Sequence, residues 1–128
     1  MRLFLCLVLV AAFSISCVPS ASEVCEIQVE LVCERFHECV PEDARDETWA
    51  FGENLEECQE ALENLSECAN HEDHDELCAD DPRGSNWSAR AADKCAEALR
   101  EMSCEDFLAL NAGDESKEPE ICKEVCTD

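Results

Sequence analysis

The stretch VCEIQVELVCERFHECV, residues 24–40, contains the pattern that decides the fold. Its apolar residues and cysteines recur at steps of four, three, four and three, which is the spacing of one face of an α-helix. That face carries Cys25, Val29, Val32, Phe36 and Cys39. At about 100° per residue, Cys33 lies about 80° from Cys25, at the edge of this face. The stretch predicts an amphipathic helix over 24–40, joined to its neighbours by cysteines and ended by Pro41.

Two further segments show the same periodicity. The segment ENLEECQEALENLSECA, residues 53–69, predicts a second helix with Asn54 as its N-cap and with one apolar face formed by Leu55, Cys58, Leu62, Leu65 and Ala69. A third helix is predicted over 88–102, and short helical turns over 103–110 and 120–126. No strand-like alternation is visible. The predicted class is all-α, a small disulfide-stapled helical bundle of three main helices plus short helical turns.

The composition restricts the partners. The 128 residues include 32 Asp and Glu against 9 Lys and Arg, and the net charge is -23. Nucleic acid is excluded as a default partner because phosphate binding needs clustered Lys and Arg. An anionic membrane surface is disfavoured for the same reason. The expected partner is an unknown protein or a cationic molecule, and membrane contact is expected only through a lipid anchor.

An apolar run, LFLCLVLVAAFSI over residues 3–15, precedes the predicted helices. It is shorter than the about 20 residues of a membrane-spanning helix and is typical of a secretory signal peptide. The following FSISC, residues 13–17, resembles a bacterial lipobox, with Ser16 as the small residue and Ser14 where leucine is usual. This interpretation predicts a signal peptide over 1–16, lipidation of Cys17, a tether over 17–23 and one disulfide-rich domain over 24–128. The alternative is ordinary cleavage after Ser22, with a signal peptide over 1–22 and a secreted product.

The cysteine count supports export under either interpretation. Ten cysteines follow Cys17, an even number that five disulfides require. They are Cys25, Cys33, Cys39, Cys58, Cys68, Cys78, Cys95, Cys104, Cys122 and Cys126. Leu, Ile, Val and Phe are sparse beyond the leader, so we expect the small core to depend on these bridges. Antiparallel hairpins favour the pairs Cys39–Cys58 and Cys104–Cys122.

The sequence contains few residues arranged for catalysis or for binding a cofactor. No Cys-x-x-Cys pair, nucleophile elbow or phosphate-binding glycine loop occurs, so we expect a non-enzymatic protein without a cofactor. The acidic loop 71–76 is the exception, because His71 and His74 form a candidate metal site, which either Asp75 or the distant His37 would complete. The competing interpretation is a solvated loop. Three aromatic residues lie in connecting segments, Trp49, Phe51 and Trp87, and are expected to fold back over the core rather than to contact a partner.

The segments ADKCAEALREMSCEDFL, residues 92–108, and PEICKEVC, residues 119–126, follow the lipobox-like start. In this combination the chain resembles small cysteine-rich lipoproteins of myxobacteria and related bacteria. The resemblance rests on spacing and composition over most of the mature chain. It implies a bacterial outer-membrane or cell-surface location, with the extracellular space as the alternative, and a helical fold, and it implies nothing about mechanism.

Three functions are compatible with these patterns. The first is a non-enzymatic surface or secreted module, anchored by lipid, that works by binding or as a structural component. The second is a metal-binding domain centred on His71 and His74. The third is a secreted eukaryotic helical carrier or signalling protein, for which Asn86-Trp-Ser would be a glycosylation site.

Overall fold

The computed structural model describes residues 18–45 and 49–128 of the chain. The predicted signal peptide over 1–16 and the predicted lipidation site Cys17 lie outside the described residues. The described α-helices are α1 (Ala21–Cys39), α2 (Leu55–Leu65), α3 (Ala89–Glu101) and α4 (Cys104–Asn111). Short 3₁₀ turns cover Glu42–Ala44, Cys68–Asn70, His74–Cys78, Glu115–Lys117 and Glu120–Glu124. The predicted all-α class, with three main helices and short helical turns joined by disulfides, is confirmed.

The structure also contains a short two-stranded antiparallel ladder. Strand β1 (Asn86–Trp87) pairs with β2 (Cys126–Thr127), so that Trp87 lies opposite Cys126. The expectation of a chain without strands is wrong at this point. Two residues are too few for period-two alternation to be visible in a sequence.

Helix α1 begins earlier than its periodicity predicts. Ser20 and Glu23 form a capping box, in which the Ser20 hydroxyl accepts from the Glu23 N–H and the Glu23 carboxylate accepts from the Ser20 N–H at 2.8 Å. The hydrogen bond from the Ser20 backbone lowers the pKa of Glu23. Ala21 is only 1% exposed. The predicted tether over 17–23 is therefore too long, because residues 20–23 belong to the helix and its cap.

Helix α2 ends earlier than predicted. Asn54 caps its start as expected, since the side chain accepts from the Glu57 N–H at 3.0 Å. The helix ends at Leu65. Glu67 adopts a left-handed backbone conformation with φ 51°, which is incompatible with a right-handed α-helix. Leu65 is 79% exposed, so its predicted place on the buried face is wrong.

Five disulfides connect all ten cysteines of the predicted domain. Cys33–Cys58 lies within the span of Cys25–Cys68, and Cys95–Cys122 lies within the span of Cys78–Cys126. Among the described cysteines, only Cys39 and Cys104 join these two halves, by linking the end of α1 to the start of α4. The bridges indicate folding in an oxidising, exported environment. In the described part of the chain, no helix is both long and apolar enough to cross a membrane.

The two predicted pairs, Cys39–Cys58 and Cys104–Cys122, are wrong. Cys33 is the α1 residue that bonds to Cys58 of α2. Cys39 follows Cys33 by six residues and so points about 120° away from it around the helix axis. It faces α4, where it bonds to Cys104. Cys122 is left to bond to Cys95 of α3.

Half-cystines fill much of the small core. Seven of the thirteen buried apolar residues in the described chain are cysteines, and Cys33, Cys58 and Cys78 are fully buried. Phe107 of α4 is the largest fully buried side chain. Its ring lies 5.2 Å from that of Phe36 and 5.3 Å below the Arg35 guanidinium. The core therefore contains little aliphatic packing beyond α1, as the composition predicts.

Arg35 ties α1 to the end of α3. It is the one charged side chain that is buried in the described residues, at 6% exposure. The guanidinium donates to the Met102 carbonyl and, at 2.6 Å, to the Glu38 carboxylate. Because Met102 immediately follows α3, this contact and the Cys39–Cys104 bridge hold the same region of the molecule together.

Candidate functional site

The histidines of the acidic loop make structural contacts. The His74 Nε2–H donates to the Pro19 carbonyl at 2.6 Å, and the ring stacks on Trp87 with centroids 4.4 Å apart. Asp75 accepts the Trp87 backbone N–H at 3.0 Å. His74, Asp75 and Trp87 therefore form a clamp that holds the chain at Pro19, just before α1 begins. We call this set the N-terminal clamp.

His71 points elsewhere. Its Nε2–H donates to the Ser66 carbonyl at 3.2 Å, and its Nδ1 lies 3.5 Å from the Glu76 carboxylate. The structure thus uses His71, His74 and Asp75 in separate contacts and does not bring them together as a ligand set. In residues 18–45 and 49–128, no three His, Cys, Asp or Glu side chains are grouped closely enough to hold a metal ion.

The distant candidate ligand His37 lies in an aromatic cluster. Its Nε2–H donates to the Phe51 carbonyl at 2.9 Å, and its ring lies 5.5 Å from that of Trp49. Phe51 stacks on Phe36 at 4.0 Å, and the Trp49 N–H donates to the Gly52 carbonyl at 2.7 Å. The expectation that Trp49 and Phe51 fold back over the core is confirmed. Trp87 is likewise half-buried, against His74.

Two grooves formed by described residues are candidate binding surfaces. The first, which we call the acidic groove, lies between α1, α2 and the segment 71–82 and has a volume of about 690 Å³. Its floor is apolar, and its rim carries carboxylates, as shown by the lining residues Val29, Val32, Leu62, Leu77, Glu76, Asp80 and Asp81. An apolar floor with an acidic rim fits the chemistry of a cationic amphiphilic partner.

Two rim carboxylates of the acidic groove have partners within the chain, because Glu76 lies beside His71 and Asp81 lies beside Arg83. Arg83 contacts Asp81 at 2.7 Å and Glu118 at 2.9 Å. Hydrogen bonds from Arg83 lower the pKa of Asp81 to about 2. The same contacts raise the pKa of the Arg83 guanidinium. Asp81 therefore stabilises the loop, while Glu76 and Asp80 are the exposed acids of the rim.

The second groove, which we call the N-terminal groove, lies between α1 and α3 and has a volume of about 640 Å³. Val18 and Pro19 form part of its wall, together with Ile27 of α1 and the half-buried Trp87. Small side chains of α3 leave room for it. These residues are Ala89, Ala92 and Ala96.

The charges of the N-terminal groove differ from those of the rest of the surface. Arg90 and Arg100 line it together with Glu30 and Asp93, so the formal charges of its lining residues cancel. Both arginines are exposed, and neither forms a salt bridge within the described ranges. In a chain of net charge -23, a neutral apolar groove with two available guanidinium groups is unusual.

Neither the N-terminal clamp nor the N-terminal groove was predicted from the sequence. The Ser20-x-x-Glu23 spacing of a capping box is visible in the sequence, and it marks the true start of α1. The contact between His74 and Pro19 joins residues 55 positions apart, and no local pattern indicates it.

Comparisons with protein-family models, curated proteins and solved structures found no match to this chain.

Proposed function

We propose that the chain is an exported lipoprotein, anchored through Cys17, that acts as a non-enzymatic binding module at the cell surface. The observation that carries the proposal is the folded state of the residues directly after Cys17. Ser20 caps α1, Ala21 is buried, and the clamp holds the Pro19 carbonyl. A cleavage site before Cys17 leaves all three features in the mature protein.

Cleavage after Ser22 would remove these features. A lost N-cap costs about 1 kcal/mol, a lost hydrogen bond about 1 kcal/mol, and a lost buried methyl group nearly 1 kcal/mol. The total of about 3 kcal/mol is a large share of the about 5–15 kcal/mol that stabilises a typical domain. The alternative signal peptide over 1–22 is therefore the less favourable one for the folded product.

The bridge network supports the same interpretation. All ten cysteines from Cys25 to Cys126 pair among themselves, so no partner within the domain is needed for Cys17. Several acyl chains on one cysteine anchor a protein stably, whereas one chain binds only marginally.

The acidic groove is the proposed binding surface. Its exposed Glu76 and Asp80 stand beside an apolar floor, and the whole chain is strongly acidic. Long-range attraction by that charge speeds the encounter with cationic partners, and the apolar floor adds affinity once they are bound. The proposed partner is a cationic amphiphilic segment of another protein.

The intact mass of the native protein, purified from a bacterium that processes lipoproteins, tests the anchor. We expect a chain that begins at Cys17 and carries acyl groups, and reduction should add two hydrogens for each of the five bridges. A Cys17→Ala variant should lose the acyl mass. A mature chain that begins at Glu23 would contradict the proposal.

Soluble versions of the two mature chains test whether residues 18–22 stabilise the folded domain. A chain that begins at Val18 should be more stable than one that begins at Glu23 by about 3 kcal/mol in denaturant unfolding. Within the longer chain, Ser20→Ala should cost about 1 kcal/mol, because it removes the cap. Ser22→Ala is the matched control, since Ser22 does not cap the helix. Equal stability of the two chains would remove this support.

A further inference from the structure

The N-terminal groove opens beside the proposed point of anchorage. Val18 and Pro19 line the groove, and Ser20 already caps α1. Because consecutive Cα atoms are 3.8 Å apart, Ser20 can lie no farther than about 11 Å from the Cα atom of Cys17. A lipid on Cys17 would therefore hold this end of the domain at the level of the lipid headgroups.

The direction in which the chain leaves the domain is also fixed. Pro19 has a restricted backbone, and its carbonyl is held by His74 of the N-terminal clamp. His74 stacks on Trp87, which lines the groove. The chain therefore enters the domain along the wall of the groove.

Electrostatic repulsion selects the face that turns toward the bilayer. The reach of about 11 Å is close to the screening length of about 8–10 Å at physiological salt, so a strongly acidic domain cannot move out of the field of anionic lipids. The face that approaches most easily is the one without net negative charge. The N-terminal groove has this property, because Arg90 and Arg100 balance Glu30 and Asp93.

We infer that the N-terminal groove is the membrane-facing side of the anchored protein, with Arg90 and Arg100 contacting lipid phosphates. The exposed Val18 and Ile27 line the same groove, and in this orientation they contact the apolar boundary of the headgroup layer. Guanidinium groups bind phosphate through paired hydrogen bonds, and tryptophan is favoured at this level of a membrane. The inference rests on the proposed anchor at Cys17, and it leaves the acidic groove free for a soluble partner.

The two tryptophans measure the orientation. Trp87 lines the N-terminal groove, whereas Trp49 packs on Phe36 of α1. Phe36 follows the groove residue Ile27 by nine residues, so it points about 180° away from Ile27 around the helix axis, on the side of α1 opposite the groove. A lipid that carries a spin label near its glycerol backbone quenches only nearby indoles. Trp49→Phe leaves Trp87 as the reporter, and Trp87→Phe leaves Trp49 as its matched control.

The experiment uses the acylated protein in vesicles of phosphatidylethanolamine and phosphatidylglycerol. We expect strong quenching of Trp87 and little quenching of Trp49. Replacing both arginines, in Arg90→Glu with Arg100→Glu, should lower the ratio of docked to undocked protein by at least about 25-fold, about fivefold for each guanidinium group removed. Lys94→Glu is the control, because Lys94 is exposed on the same helix and does not line the groove.

The outcomes separate the two proposals. Equal quenching of both tryptophans in protein whose mass confirms acylation would overturn the orientation and leave the anchor intact. An equal effect of Lys94→Glu and of the arginine pair would also overturn it, because charge alone would then explain the result. A mass without acyl groups would overturn both proposals. Far-UV circular dichroism of each variant confirms that the helices are retained.

Discussion

Replacing both Cys39 and Cys104 with alanine removes the one bridge between the two halves of the disulfide network. The bridge spans 65 residues of chain. With the other bridges intact, the shortest route between these cysteines passes through Cys33–Cys58, Cys78–Cys126 and Cys95–Cys122 and is roughly 40 residues long. The loop-entropy relation gives a decrease in stability of about 4 kcal/mol for either length, since the cost depends only on the logarithm of loop size.

This bridge suits the measurement because both of its cysteines are only partly buried, whereas Cys33 and Cys58 are fully buried. Alanine at the buried positions would add a cavity to the entropic effect. At Cys39 and Cys104 the Arg35 contact to Met102 and the packing of Phe36 on Phe107 remain in place. We therefore expect a native fold with an expanded denatured state.

Equilibrium unfolding in urea, without reductant and followed by far-UV circular dichroism, is the assay. The variant should be less stable by about 4 kcal/mol, and its denaturant slope should increase because the longer free chain exposes more surface on unfolding. A non-reducing digest should still show the other four bridges. A decrease below about 1 kcal/mol with an unchanged slope would refute the reasoning, because the bridge would then not restrict the denatured chain.

Three further outcomes are expected. Gly84→Ala should cost at least about 2 kcal/mol more than Gly113→Ala in chemical denaturation, because both glycines have positive φ but only at Gly84 would a Cβ meet backbone, 2.0 Å from Thr127. Asp81→Asn should melt at a lower temperature than the native protein, and this difference should have its full size above about pH 4 and disappear as the pH falls toward about 2. The reason is that pairing with Arg83 lowers the pKa of Asp81 from 3.8 to about 2, so the stabilising carboxylate is lost by protonation over that range. A pH-independent difference would contradict the pairing. Reduction alone should unfold the chain, more readily at low salt where carboxylate repulsion is least screened, and retained helices with cooperative melting would show that the bridges are dispensable.

The helices were predictable because each one carries its own local signals. The three-four spacing in α1 and the Asn54 cap of α2 both appear where the sequence indicates them. The even count of cysteines likewise predicts complete pairing. These features depend on residues within a few positions of one another, or on simple parity, and so need no tertiary information.

The connectivity and the grooves were not predictable in this way. Which cysteine of α1 faces α2 depends on how the helix is rotated, and Cys33 and Cys39 differ by about 120° in direction. The N-terminal groove exists because His74 and Trp87 hold Pro19 beside α3. The separate contacts of His71 and His74 were not predictable for the same reason, since the spacing of two residues along the chain does not show where their rings point.

A core built largely from half-cystines also determines how the protein responds to temperature. Heat-capacity change on unfolding comes mainly from apolar surface newly exposed to water, and typical domains show about 12–15 cal/mol/K per residue. Here few large apolar side chains are buried, and the bridges keep the unfolded chain compact. The heat-capacity change per residue should therefore be well below that range, so that stability varies slowly between cold and warm conditions. Such a flat profile suits a protein held outside the cell, where the temperature follows the surroundings.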